Sequence, residues 1–167
     1  MRKILVSGCL NGPRIRFNET NVPVDSVIWQ RWEAEGRLLP ACPELMAGFA
    51  VPRAPAEMVG ATAVEILDGR GRVREDNGSD VTDPFLEGAT NAAALAIEHG
   101  CGMAVMTDGS PSCGSTYVFD GSFTGGTIPG RGVTAELLER SGIRVFAESQ
   151  LAEADAYLRE LEARDDE

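Results

Sequence analysis

Four short apolar runs punctuate this chain: Lys3–Ser7 (KILVS), Arg37–Ala41 (RLLPA), Cys101–Thr107 (CGMAVMT) and Ile143–Ala147. Each has the length of a strand, and continuous apolarity marks strands buried on both faces. Segments with helical spacing separate them. Strands alternating with helices imply a mostly parallel sheet, because a parallel crossover needs a dozen or more residues and a helix fills it. The expected fold class is α/β: one three-layer, Rossmann-like domain over residues 1–167 with helices on both faces, two small hairpins added, and a C-terminal helix from about 150 ending in a frayed acidic tail.

The helices carry recognisable ends. Val24 to Glu35 keeps Val24, Val27, Ile28 and Trp32 on one side and meets Gly36 at its C-terminus. Thr82 is the expected N-cap of a long helix with Pro84 in its first turn, a stripe of Phe85, Ala89, Ala92, Ala93, Ala96 and Ile97, and Gly100 as its stop. Thr134 is expected to cap a short helix over Ala135 to Ser141, and Ser149 the last helix. The hairpins are expected at Ala63–Leu67 with Arg72–Glu75, and at Tyr117–Thr124 turning on Asp120-Gly121. The Pro-bearing stretch Gly48–Pro55 is expected to be irregular.

At 167 residues, with 43% hydrophobic and 25% charged residues, the chain has the composition of a packed globular protein. Its 15 basic and 26 acidic residues give a net charge of −11, a field that repels DNA, large RNA and anionic membranes. No window reaches the length of a membrane span, and the N-terminus turns to Gly and Pro too early for a signal peptide. The expected compartment is cytoplasmic, where thiols stay reduced.

That setting matters because the chain has four cysteines and no C-x-x-C pair, which excludes a zinc ribbon and a thioredoxin-type motif. In open parallel sheets the reactive crevice lies at the carboxyl ends of the strands. Cys9 follows the first expected strand, Cys42 the second, and Cys113 lies in the loop after the third, each beside Gly or Pro. Cys101 begins the third strand, which at ~3.3 Å per residue puts it roughly 20 Å from that edge. Three soft thiolates suit zinc or an iron–sulfur cluster, and three leave a position open for chemistry. The only histidine, His99, ends a helix away from the crevice and is a poor fourth ligand.

Around the cysteines, Glu44 stands two residues past Cys42 across Pro43 and is the candidate general base. Ser110-Pro111-Ser112-Cys113-Gly114 surrounds the third thiol with hydroxyl and N–H donors. Arg16 and Arg53 are candidates for holding a polar or anionic substrate, and Trp29 and Trp32 read as core. The glycines of 125–127 and 130–132 lack the sequence of a phosphate loop, and the position of His99 excludes a Ser-His-Asp triad.

The segments ILVSGCLNG with Arg16-Phe17-Asn18, GRLLPACPE with PRAPAEM, DVTDPFLEGA, SPSCGS, FDGSFTGG, GVTAELL and VFAES resemble the thiouracil desulfidase family, from Lys3 to about Gln150. The cysteine motifs S-x-C-L, C-P-E and S-P-S-C-G occur in the family's order. The resemblance implies a [4Fe-4S] cluster held by Cys9, Cys42 and Cys113 alone, with the fourth iron taking the sulfur of a thiobase or thionucleoside such as 2- or 4-thiouracil. Hydrolysis then releases hydrosulfide without net redox change. By motif, Glu44 matches the acidic catalytic residue and Ser110 the catalytic serine. Asn11, Pro13 and Asp108-Gly109 depart from the family pattern. Two other readings stay open: a three-cysteine zinc hydrolase, and a non-catalytic sulfur carrier or cluster-binding protein.

Overall fold

The computed structural model describes residues 1–11, 26–50 and 53–167. Its centre is a four-stranded, wholly parallel sheet in the order β2-β1-β5-β8, built from β1 (Lys3–Ser7), β2 (Leu38–Ala41), β5 (Cys101–Met106) and β8 (Arg144–Ala147). The remaining elements are α1 (Val27–Ala34), α2 (Pro43–Met46), β3 (Ala56–Val59), α3 (Ala63–Leu67), β4 (Arg72–Glu75), α4 (Thr82–Glu98), β6 (Tyr117–Phe119), β7 (Thr127–Pro129), α5 (Val133–Arg140) and α6 (Leu151–Asp165).

Strand alternation sorts the core into two layers. Ile4 and Val6 of β1 join Met103, Val105 and Phe146 beneath Trp29 and Trp32 of α1 and Leu151, Ala154 and Leu158 of α6. Leu5, Ala104 and Met106 point the other way, onto Ala93 and Ala96 of α4 and Leu138 of α5. The chain steps from β1 outward to β2, then returns to the far side of β1 for β5. That reversal opens a crevice at the carboxyl ends of β1 and β5, where loops diverge. A third apolar cluster, including Met58, Ile66, Val73, Phe85 and Val118, packs the antiparallel pairs β3-β4 and β6-β7 beside it.

Several expected elements shift. Ala63–Leu67 is a helix, not a strand: Thr62 and Glu65 close a reciprocal capping box, and Ala63 and Ile66 are buried three residues apart while Val64 is exposed. The partner of β4 is therefore β3, directly after the Pro-bearing stretch. The second pair is β6 with β7, so the turn grows to the seven residues 120–126. Thr82 is the first helical residue instead of the cap; its hydroxyl accepts from Val73 N at 2.9 Å and ties α4 to β4. Thr134 likewise lies inside α5, whose N-cap is Gly132, and Gln150 replaces Ser149 as the cap of α6. Trp29 and Trp32 are core as expected, whereas Arg16, Pro13 and Val24 lie outside the described residues.

Candidate functional site

The turn after β1 brings Cys9 into a short 3-10 segment, Gly8–Asn11, where the side chain is buried. Cys42 holds the N-cap position of α2 in an extended conformation, as the following proline requires, and Pro43 occupies the first helical position. That single turn is seated by Gly88 of α4: a Cβ there would stand 2.3 Å from the carbonyl oxygen of Pro43, so only glycine permits the approach. One turn of helix thus fixes both Cys42 and Glu44.

The Cys113 loop is held from two sides. Its Pro111 and Ser112 carbonyls accept from Val133 and Thr134 N–H groups at the start of α5, at 2.7 and 2.9 Å, and the Ser112 hydroxyl bonds that of Thr134 at 2.7 Å. From the other side, Asp108 accepts from the N–H groups of Ser115 and Thr116 at 3.0 and 2.8 Å and from the Thr116 hydroxyl at 2.8 Å. Asp108 thereby acts as a clamp on the cysteine loop. Ser110 Oγ accepts from Ser112 N at 3.0 Å and Cys113 N at 3.2 Å. With its oxygen so engaged, its O–H proton is the group left for a ligand.

Cys9, Cys42, Cys113, Glu44 and Ser110 all line one cavity of about 360 Å³. The sequence-predicted set is therefore brought together. Cys101 opens β5 opposite Lys3 and His99 caps the far end of α4, so neither reaches the cavity. Burial pushes the Cys113 thiol well above its ordinary value; the neighbouring Cys42, Cys9 and Glu44 add to the effect, and the Ser7 hydroxyl opposes it. Burial also raises Cys42, against the backbone N–H of Leu45. Cys101 is raised to about 11 by burial alone, with Lys3 opposing. Cys113 thus feels both other cavity cysteines, and a positively charged group bound among them would offset the cost of deprotonating it.

Arg53, a candidate for holding a substrate, lines the same cavity and is paired with Glu44. Its Nε donates to Glu44 Oε2 at 2.5 Å, and the two side chains are 9% and 15% exposed. The pair orients the Glu44 carboxylate within the cavity wall and leaves Oε1 for other partners. Thr107, also in that wall, carries a buried hydroxyl without a hydrogen-bond partner among the described residues. Three thiols, an orphaned hydroxyl and an apolar flank of phenylalanines form a donor set suited to a sulfur-rich, uncharged-faced group. No group of three or more His, Cys, Asp or Glu side chains among the described residues is placed to hold a metal ion. A zinc ion would draw three sulfurs to about 2.3 Å each.

The model of the 2-thiouracil desulfurase family matches residues 4–150. The chain belongs to this family. It is 39% identical over 148 residues, 89% of this chain and 97% of the other, to YbbK, an uncharacterised protein of Bacillus subtilis strain 168. Among solved structures it is similar to the [4Fe-4S]-dependent thiouracil desulfidase TudS, with a TM-score of 0.87 and 39% identity, covering 95% of this chain and 99% of that one. The family expected from the cysteine motifs and the span expected for it both agree with these matches.

What sequence reasoning did not reach is the cavity's second wall. Phe49, Phe85, Phe119 and Phe123 line it, with Glu57, Glu75 and Asp76. The one signal available was the surplus of turn residues in FDGSFTGG, too many for a two-residue hairpin turn.

Proposed function

We propose that this chain is a non-redox desulfidase that converts a thiocarbonyl heterocycle such as 2-thiouracil and water into the oxo base and hydrogen sulfide. The observation that supports it best is the convergence of Cys9, Cys42 and Cys113, each following a different strand of one parallel sheet, on a cavity that also contains Glu44 and Ser110. Cys9, Cys42 and Cys113 would hold a [4Fe-4S] cluster, the group named for the solved relative. When bound, the cluster would supply an iron with an open coordination position, a Lewis acid toward the thiocarbonyl sulfur.

The remaining chemistry belongs to the chain. Glu44 takes a proton from the water that adds to the thiocarbonyl carbon, with Arg53 fixing one carboxylate oxygen so that the other faces the cavity. Ser110 donates its O–H to the water's second lone pair, which its bonds from Ser112 N and Cys113 N leave it oriented to do. The phenylalanines in the cavity wall lower the local dielectric, which strengthens both interactions. The reaction exchanges C=S for C=O, and no electrons are transferred.

The [4Fe-4S] dependence named for the solved relative, at 39% identity, supports a cluster over the zinc-hydrolase reading. The paired Glu44 and Ser110 support an enzyme over a sulfur carrier, which needs no proton acceptor. Anaerobic reconstitution with iron and sulfide, followed by measurement of uracil and sulfide released from 2-thiouracil, tests the proposal. Stoichiometric sulfide with uracil is expected from the brown, reconstituted protein; zinc-loaded protein with equal turnover would overturn it.

A further inference from the structure

The segment Phe119-Asp120-Gly121-Ser122-Phe123-Thr124-Gly125-Gly126 plays no part in the proton chemistry above, yet specific bonds hold it beside the cavity. Asp120 Oδ1 accepts from Ser122 N at 2.9 Å and from the Ser122 hydroxyl at 2.5 Å. Gly121 lies against β3, where a Cβ would meet the Met58 carbonyl oxygen at 2.5 Å. Glu57, a buried carboxylate on β3, accepts from Gly121 N at 2.9 Å and Phe123 N at 3.3 Å through the same oxygen. Among the described residues Phe123 is the one non-glycine with positive φ, at 59°. A bulky residue in the left-handed region is disfavoured and persists where its surroundings over-determine it.

The four phenylalanines of the cavity are not equivalent. Phe49 and Phe85 pack edge to face against each other, with centroids 5.3 Å apart. Phe119 packs over Gly109. Phe123 pairs with no other ring among the described residues, is half-buried, and lines the same cavity as Cys9, Cys42 and Cys113. A strained backbone that holds a ring at a cavity wall, stacked on no other described ring, offers a flat surface for a flat ligand.

We propose that Phe123 is a specificity residue that stacks on the planar heteroaromatic ring of the substrate, and that Glu57 is the positioning residue that holds it there. The inference rests on the desulfidase reading for its substrate class. It predicts recognition of the ring itself, whether or not the ring carries sulfur.

The test uses the full-length, anaerobically reconstituted protein and two readouts: equilibrium binding of uracil by calorimetry, and steady-state kinetics with 2-thiouracil. Phe123→Gly accepts the positive φ and keeps the N–H to Glu57, so the turn is preserved while the ring is lost. Its dissociation constant for uracil and its KM for 2-thiouracil are expected to rise about tenfold, with kcat little changed. Phe123→Tyr restores both, Glu57→Ala reproduces the loss, and Glu57→Gln, which keeps an oxygen acceptor, stays near the parent. Unchanged uracil binding in Phe123→Gly, or equal loss in Phe123→Tyr, overturns the proposal. If the parent protein binds uracil in a Phe123-dependent way but releases no sulfide from 2-thiouracil, the desulfidase reading fails and the ring platform stands.

Discussion

The two ends of the central sheet use the same residue types for opposite purposes. At the amino end, Arg2 and Arg37 precede β1 and β2 and are met by the last turns of α6: Arg2 Nη2 bonds Asp165 at 2.7 Å and Arg37 Nη1 bonds Glu162 at 2.6 Å, with Glu35 also on Arg37. The lone cysteine there, Cys101, pairs in the strand register with Lys3 and has no thiol neighbour to influence it. At the carboxyl end, Cys42 and Cys9 raise the buried Cys113, and the Glu44 carboxylate is paired with Arg53 in the wall of a cavity. Charges are matched in an ion-pair net at one end, whereas the other gathers thiols, a carboxylate and a hydroxyl around one cavity.

The comparison is broken most severely through the cysteines. Cys9→Ser, Cys42→Ser and Cys113→Ser are each expected to lose the iron and all measurable desulfuration, while Cys101→Ser keeps both; iron content and the absorbance of the reconstituted protein check this. A Cys101→Ser protein unable to hold iron would erase the distinction between the ends. Next in size, Glu44→Gln keeps a side chain able to accept from Arg53 but removes the proton acceptor, so kcat is expected to fall about 10²–10³-fold with iron content unchanged. Equal turnover in this variant would assign the base elsewhere. Ser110→Ala is expected to lower kcat about tenfold, the worth of one hydrogen bond, with the Cys113 loop still held by Asp108 and α5.

The smallest effect lies at the amino end and is one of stability. Hydrogen bonding from Arg37 holds the Glu162 carboxyl below its ordinary value of 4.5, with the Arg2 N–H and the charge of Arg37 adding to it and burial opposing. The stabilisation this brings is present above about pH 4.5 and is lost as pH falls through the lower folded value. Glu162→Gln is therefore expected to reduce stability to urea by about 1 kcal/mol at pH 7 and by much less at pH 3, leaving the kinetics with 2-thiouracil untouched. A loss that stayed constant with pH would show that packing, not charge, carries the contribution.

Much of this plan was readable from local pattern. The four sheet strands are each apolar enough to need burial on both faces, so their number, order along the chain and parallel direction followed from composition and spacing. Cys9, Cys42 and Cys113 could be assigned to one edge because strand polarity alone decides which loops share an end. The peripheral elements were less legible. Ala63–Leu67 fits a strand by length and apolarity, and its helix is settled by two residues, Thr62 and Glu65, whose side chains bond each other's backbone. The Phe119–Gly126 turn gave no register, because its strands are three residues long and Glu57, from a distant segment, holds it in place.

The sequence by itself determined the sheet, its helical layers and the end at which three cysteines collect, since periodicity and chain direction are properties of neighbouring residues. Only the tertiary structure decided what those cysteines share: the pairing of Glu44 with Arg53, the use of Asp108 as a clamp, and a phenylalanine wall drawn from three separate segments. Such contacts join residues far apart along the chain, and their energies depend on burial and distance, which exist only once the layers have packed.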